Sequence, residues 1–137
     1  MKLVLDTNVL IAALISHGTC HEVLEHCVRQ HELIASTFIL NEVQSTLLKK
    51  FHYTRHEVSE VITLLKTGID LVTPLPHKTQ ICRDPDDDMI LATAVSGSCK
   101  CIVTGDNDLL ELVSHHEIDI VLPSAFWRYE QEHASAP

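Results

Sequence analysis

Short apolar blocks alternate along the chain with longer stretches in which apolar residues recur at helical spacing. The blocks are rich in Leu, Ile and Val, a pattern typical of buried strands. We expect strands over residues 2–5, 32–36, 70–73, 101–104 and 119–122. The amphipathic stretches predict helices over residues 7–17, 20–30, 37–51, 55–67, 89–95 and 108–113, and a last one over 124–132.

This alternation predicts an α/β fold with a mostly parallel sheet of about five strands, because consecutive parallel strands are joined by helical crossovers. The 137 residues suffice for one domain and are too few for two. Hydrophobic residues make up 45 % of the chain but aromatic residues only 4 %. We therefore expect a core of aliphatic side chains, as in a parallel sheet covered by helices.

The start of the chain and its cysteines predict a soluble protein of the reducing cytoplasm. Met1 and Lys2 lead into an apolar block that meets the charged Asp6, unlike a secretory signal peptide. The later apolar stretch over residues 9–15 is shorter than the ~20 residues that cross a bilayer, so we expect no membrane contact. The five cysteines lack zinc-site spacing, and the ten histidines are scattered without an H-E-x-x-H motif. A histidine-based metal site is therefore disfavoured.

The net charge argues against nucleic-acid binding. Ten Lys and Arg against nineteen Asp and Glu give a formal charge of −9, whereas affinity for phosphate comes largely from Lys and Arg. A compact basic stretch contains Lys49, Lys50 and Arg55 with aromatic residues between them. It is a candidate for contacting RNA phosphates and stacking a base, and it also fits a solvated helix end.

Acidic residues fall where parallel strands are predicted to end. Asp6 follows the first strand, Asp106 and Asp108 follow the fourth, and Glu42 lies in the helix after the second. A further acidic run opens the helix that leads into the fourth strand and comprises Asp84, Asp86, Asp87 and Asp88. Open α/β sheets bind their ligands at this carboxyl edge.

Each of these acids also has an ordinary structural explanation. Asp6, Asp84 and Asp106 precede helices, where aspartate caps free N–H groups and suits the helix dipole. The acidic run fits a solvated helix start, and Glu42 fits an exposed helix position. Capping does not explain why several acids meet at one edge of a sheet.

Carboxylates gathered at one edge require a cation between them. Two like charges about 4 Å apart repel by about 4 kcal/mol at an effective dielectric constant near 20, and this repulsion raises their pKa values. Ligation by oxygen without Cys or His selects hard cations such as Mg²⁺ or Mn²⁺. Such an ion activates water and neutralises a phosphate under attack, which favours phosphodiester hydrolysis.

Four strings, in order, resemble the motifs of the PIN domain family. They are Asp6-Thr7-Asn8-Val9-Leu10, Asn41-Glu42-Val43, Arg83-Asp84-Pro85-Asp86-Asp87-Asp88 with the helical residues 89–94 after it, and residues 103–110. The likeness runs to about Trp127 and is closest to bacterial and archaeal toxin components related to VapC-type toxins. It implies a PIN-like α/β/α sandwich over residues 1–130, followed by a tail over residues 131–137.

The resemblance implies a metal-dependent endoribonuclease and toxin, with RNA as substrate, a small antitoxin as partner and a homodimeric assembly. It assigns catalysis and the ligation of Mg²⁺ or Mn²⁺ to an acidic quartet: Asp6, Glu42, Asp87 and Asp106. Thr7, Asn8 and Thr104 then act as donors that orient carboxylates or bound water.

The choice between neighbouring acids stays open. Asp87 and Asp88 both share a helix face with apolar residues; the family register favours Asp87, and Asp88 stands where many relatives carry Asn or an apolar residue. Asp108 either assists Asp106 or takes its place, and Asp84 has a supporting place beside Asp87.

Other functions fit the motifs less well. A phosphatase of the HAD type needs a D-x-D motif, but Asn8 occupies its second acidic position. A receiver domain needs an aspartate at the end of a middle strand, whereas the second predicted strand ends in Ala35 and Ser36. The alternative that fits is a PIN module that binds RNA or a protein partner without turnover.

Overall fold

The computed structural model describes residues 1–75 and 79–133, and these form one sheet with helices packed against it. The strands are β1 (Lys2–Leu5), β2 (Glu32–Ser36), β3 (Ile69–Val72), β4 (Cys101–Val103), β5 (Ser114–His115) and β6 (Ile118–Val121). The helices are α1 (Thr7–Ile15), α2 (Thr19–Gln30), α3 (Thr37–Lys49), α4 (Arg55–Gly68), α5 (Pro85–Ser96), α6 (Asn107–Leu110) and α7 (Phe126–His133). The predicted α/β fold is confirmed.

The sheet is parallel except at one edge. Its strand order is β3-β2-β1-β4-β6-β5, and only β5 pairs antiparallel with its neighbour β6. The two-residue β5 brings the sheet to six strands. It was not predicted, because its tight turn to β6 uses His116 and Glu117 with φ angles of 50° and 64°. Hairpin turns of this kind are normally marked by Asn or Gly.

Two helix boundaries differ from the prediction for local reasons. Helix α5 begins at Pro85, ahead of the predicted start at Met89, because Asp84 caps it and proline suits a first helical position. Helix α6 ends at Leu110, before the predicted end at Val113. Val113 has a φ angle of 63°, which no continuing right-handed helix permits.

Most of the core consists of the aliphatic side chains expected from the sequence, joined by Phe126 of α7. Leu3, Val4 and Ile102 on the central strands are fully buried, and the helices close over them with residues such as Val43 and Leu91. The five cysteines carry free thiols. No helix over residues 1–75 and 79–133 has both the length and the apolar character needed to cross a bilayer.

Two predicted segments reach beyond the described residues. Pro76, which we expected in the loop that follows the third predicted strand, lies outside them, as do residues 134–137 of the predicted tail. Helix α7 continues to His133, past residue 131 where we placed the start of that tail.

Candidate functional site

A cleft of about 140 Å³ opens at the carboxyl ends of β1 and β4. Six of its lining residues are acidic: Asp6, Glu42, Asp84, Asp86, Asp87 and Asp106. Thr7, Asn8, Thr46 and Ile90 complete the lining. Carboxylates from four separate segments of the chain therefore meet at one edge of the sheet.

Asp6 is buried at the base of this cleft. It precedes α1, yet its side chain makes no capping hydrogen bond to that helix. Instead, Thr104 Oγ1 donates to Asp6 Oδ2 over 2.6 Å. Burial raises the pKa of Asp6 and the charge of Asp106 adds to the effect, while the hydrogen bonds from Thr104 and the Thr7 amide partly offset it. Capping does not explain this aspartate.

Asp106 is tied to the same threonine from the other side. Its backbone N–H donates to Thr104 Oγ1 over 3.0 Å. Its carboxylate caps α6, accepting from the N–H groups of Asp108 at 2.8 Å and Leu109 at 3.3 Å. Asp106 can therefore cap α6 and line the cleft at the same time, because both capping hydrogen bonds use the single oxygen Oδ1.

Glu42 is half-buried on α3, where we had allowed for an exposed helix position. Thr7 Oγ1 donates to its Oε1 over 2.8 Å and fixes the carboxylate beside β1. Burial raises the pKa of Glu42, as do the charges of Asp86 and Asp6. The side chain is therefore oriented by a donor and surrounded by other acids.

Asp87 and Asp88 point to different places. Asp87 is buried among the acids of the cleft, and burial together with the charges of Asp106, Asp84 and Asp6 raises its pKa to about 7. Asp88 accepts hydrogen bonds from the backbone N–H groups of Ile81, at 3.0 Å, and Cys82, at 2.8 Å. Asp88 thus holds the loop before α5, and Asp87 is the one of the pair that lines the cleft.

Asp84 and Asp108 flank the cleft in different ways. Asp84 caps α5, accepting from the Asp86 N–H at 2.9 Å, and also lines the cleft. Asp108 accepts from Arg83 Nη2 at 2.6 Å, and that arginine side chain is 87 % exposed. Ligand oxygens of Asp87, Asp106 and Asp108 nevertheless lie within 4.8 Å of one another.

Two polar lining residues, Asp86 and Thr46, and the apolar Ile90 were absent from the predicted site. The charge of Asp86 raises the pKa of Glu42. Thr46 lies one helical turn after Glu42 on α3 and also lines the cleft. The signal for Thr46 was the i, i+4 spacing from Glu42. Asp86 carried no distinct signal, because only the three-dimensional approach of α5 to α3 separates it from the rest of its run.

The donor set fits a hard divalent cation. None of the described residues that line the cleft is a lysine or arginine, although Arg83 pairs with Asp108 beside it. All charged donors are oxygens, which suits Mg²⁺ or Mn²⁺ better than softer metals. Lys49, Lys50 and Arg55 lie outside the lining, at the end of α3 and the start of α4.

Comparison with known protein families shows to which family the chain belongs. The model of the PIN domain family matches residues 2–108, which contain the acidic residues of all four motifs. The chain belongs to the PIN domain family. The PIN domain of this chain is also 29 % identical over 119 residues to the uncharacterized protein MJ1680 of Methanocaldococcus jannaschii, covering 82 % of this chain and 75 % of the relative.

Solved structures share the fold at low sequence identity. VapBC-1 from nontypeable Haemophilus influenzae superimposes with a TM-score of 0.63 and 15 % identity, over 90 % of this chain and 99 % of that one. VapC20 from Mycobacterium tuberculosis, a toxin that cleaves the sarcin-ricin loop, gives a TM-score of 0.59 and 14 % identity, over 85 % and 98 % of the two chains. These similarities confirm the PIN fold.

Proposed function

We propose that this PIN domain is a metal-dependent endoribonuclease that hydrolyses phosphodiester bonds in RNA. The observation that carries the proposal is the cleft in which six carboxylates meet without a lysine or arginine among the described lining residues. Membership of a nuclease family supports it, as does the fold shared with an RNA-cleaving toxin. An acidic cleft of this kind is a poor place for phosphate unless a cation intervenes.

Asp6, Glu42, Asp87 and Asp106 would hold Mg²⁺ or Mn²⁺, which supplies Lewis-acid stabilisation of the phosphoryl group when bound. Thr104 fixes the position of Asp6 relative to Asp106, because its hydroxyl donates to the Asp6 carboxylate and accepts from the backbone N–H of Asp106. Thr7 orients Glu42 in the same way. These donors orient carboxylates that line the cleft.

Without a cation in the cleft, the crowding of carboxylates favours the protonated forms of Asp87 and Glu42. Burial and neighbouring charges raise the pKa of Asp87 to about 7 and raise that of Glu42. Ligation of a divalent cation would favour the ionised forms of both side chains, which links metal binding to the release of a proton.

We further propose a small antitoxin as protein partner and a homodimeric assembly. The chain shares its fold with VapBC-1 of Haemophilus influenzae and FitAcB of Neisseria gonorrhoeae. An apolar groove between α1, α2 and α4 supports a protein partner, because Val28 and Leu64 are 45 % and 68 % exposed there. Exposed apolar surface of this kind is typical of interaction sites.

The test of the proposed activity is cleavage of single-stranded RNA in Mn²⁺, in Mg²⁺ and in chelator. We expect Asp6→Asn to reduce cleavage by about 100-fold or more without unfolding the protein, because asparagine still accepts the hydrogen bond from Thr104. Asp70→Asn is the matched control, since Asp70 is exposed on β3 outside the cleft. Cleavage that persists in chelator would contradict the metal role. Metal binding without any product in the wild type would instead favour a non-catalytic binding module.

A further inference from the structure

A second group of side chains with possible metal-ligand atoms lies at the opposite edge of the sheet from the acidic cleft. His26 belongs to α2, His31 follows that helix immediately, and Glu130 comes from α7. Their ligand atoms lie within 4.8 Å of one another. The sequence did not indicate this group, because Glu130 is separated from His31 by 99 positions.

Both imidazoles converge on a single carboxylate oxygen. His26 Nε2 and His31 Nε2 each lie 2.5 Å from Glu130 Oε2. Met1 N lies 3.0 Å from His31 Nδ1, so the other ring nitrogen is directed at Glu130. An ammonium group can only donate, so His31 Nδ1 accepts and the neutral ring carries its proton on Nε2, from which a metal ion would displace it.

The surroundings hold the group in place and exclude much of the solvent. The side chains of His31, Glu130 and His26 are 8 %, 20 % and 27 % exposed. The ring of His26 packs edge-on against Trp127 at 4.9 Å between centroids, and that of His31 packs against Phe126 at 6.0 Å. The donor atoms are therefore ordered before any ion arrives.

We propose that His26, His31 and Glu130 form a Zn²⁺ site that fastens α7 to the end of α2. Two imidazole nitrogens and one carboxylate oxygen are a recognised zinc ligand set that leaves a fourth position for water. Zinc lies about 2.0–2.2 Å from each ligand, so the donor atoms must move apart to about 3.3 Å, a shift that side-chain rotation provides. Imidazole ligands also disfavour Mg²⁺, which separates this site from the acidic cleft.

Zinc binding is measured by equilibrium dialysis in excess Mg²⁺, which competes for the acidic cleft. We expect the wild type to retain Zn²⁺ and His26→Gln and Glu130→Gln to bind it about tenfold or more weakly. His21→Gln is the matched control, since His21 lies on the same helix, 2.5 Å from Glu25, but outside the three-residue group. That variant should bind like the wild type.

A thermal shift gives a second readout that does not depend on nuclease activity. Zinc should raise the melting temperature of the wild type, the control and Asp6→Asn, but not that of His26→Gln. His26 is the most exposed of the three side chains, so this variant folds even if Glu130→Gln does not. Wild-type protein that fails to retain zinc, or His26→Gln that retains it fully, overturns the proposal. Loss of RNA cleavage in Asp6→Asn with zinc binding intact separates the two sites.

Discussion

The aspartates in and around the cleft have different structural roles. Asp6 is buried against Thr104, Asp106 caps α6 and lines the cleft, and Asp88 holds the loop before α5. The sequence predicted that acids would gather at this edge, because strand ends are visible in the apolar pattern. Helix spacing did not separate Asp87 from Asp88, since both share a face with apolar residues, and only the resemblance to the family favoured Asp87.

Asp87 should make the stability of the metal-free protein depend on pH. Its pKa is raised from 3.8 to about 7, with burial as the largest cause. Because the folded-state pKa lies above the unfolded one, the stabilisation is complete below about pH 4 and is lost as the pH rises toward 7. In chelator at pH 8, we expect Asp87→Asn to raise the free energy of unfolding by about 1–3 kcal/mol.

Urea unfolding at pH 4 and pH 8 checks this expectation. The two proteins should be equally stable at the lower pH, where Asp87 is protonated and resembles asparagine. Asp70→Asn, a change on the exposed side of β3, should behave like the wild type at both values. A gain in stability that is the same at pH 4 and pH 8 would show that the charge of Asp87 is not its cause.

At the scale of elements, long amphipathic segments were predictable and short or tightly turned ones were not. Helices α2, α3 and α4 follow from their apolar stripes, and in the structure Ser36 caps α3 and Thr54 caps α4. The strand β5 was missed because it is two residues long and its turn lacks Asn or Gly. The early start of α5 was missed because its first turn is acidic and gives no apolar periodicity.

The junction between the loop over residues 79–84 and α5 depends on Asp88. We expect Asp88→Ala to lower the free energy of unfolding by about 1–3 kcal/mol, because the N–H groups of Ile81 and Cys82 lose a charged acceptor. Mn²⁺ binding should remain, since Asp88 does not line the cleft. Calorimetric titration with Mn²⁺ and urea unfolding measure the two effects, with Asp87→Asn as the variant expected to lose metal. Unchanged stability with lost binding would make Asp88 the ligand instead.

At the scale of the whole molecule, the net charge of −9 and an RNA substrate are compatible because the charges are segregated. Six acids concentrate in a cleft suited to a cation, whereas Lys49, Lys50 and Arg55 lie together at the junction of α3 and α4. The junction is adjacent to the cleft along the chain, since the Lys50 N–H donates to the carbonyl of Thr46, a lining residue, over 2.8 Å. Composition alone missed this segregation because it averages over the surface.

Phosphate contacts at this junction would give RNA binding a salt dependence that the acidic cleft cannot provide. Lys49 and Lys50 are exposed, and Lys50 Nζ lies 5.8 Å from the centre of the Phe51 ring. We expect the double change Lys49→Glu and Lys50→Glu to weaken RNA binding about tenfold or more at low salt and to reduce the slope of log affinity against log salt by about 1–2. Fluorescence anisotropy with labelled single-stranded RNA, in Mg²⁺, measures both quantities. The control is Lys66→Glu on α4, which changes an exposed lysine farther along the chain. It should alter neither the affinity for RNA nor the salt slope by much. An unchanged slope in the double variant would place the RNA path elsewhere and leave the junction as a solvated helix end.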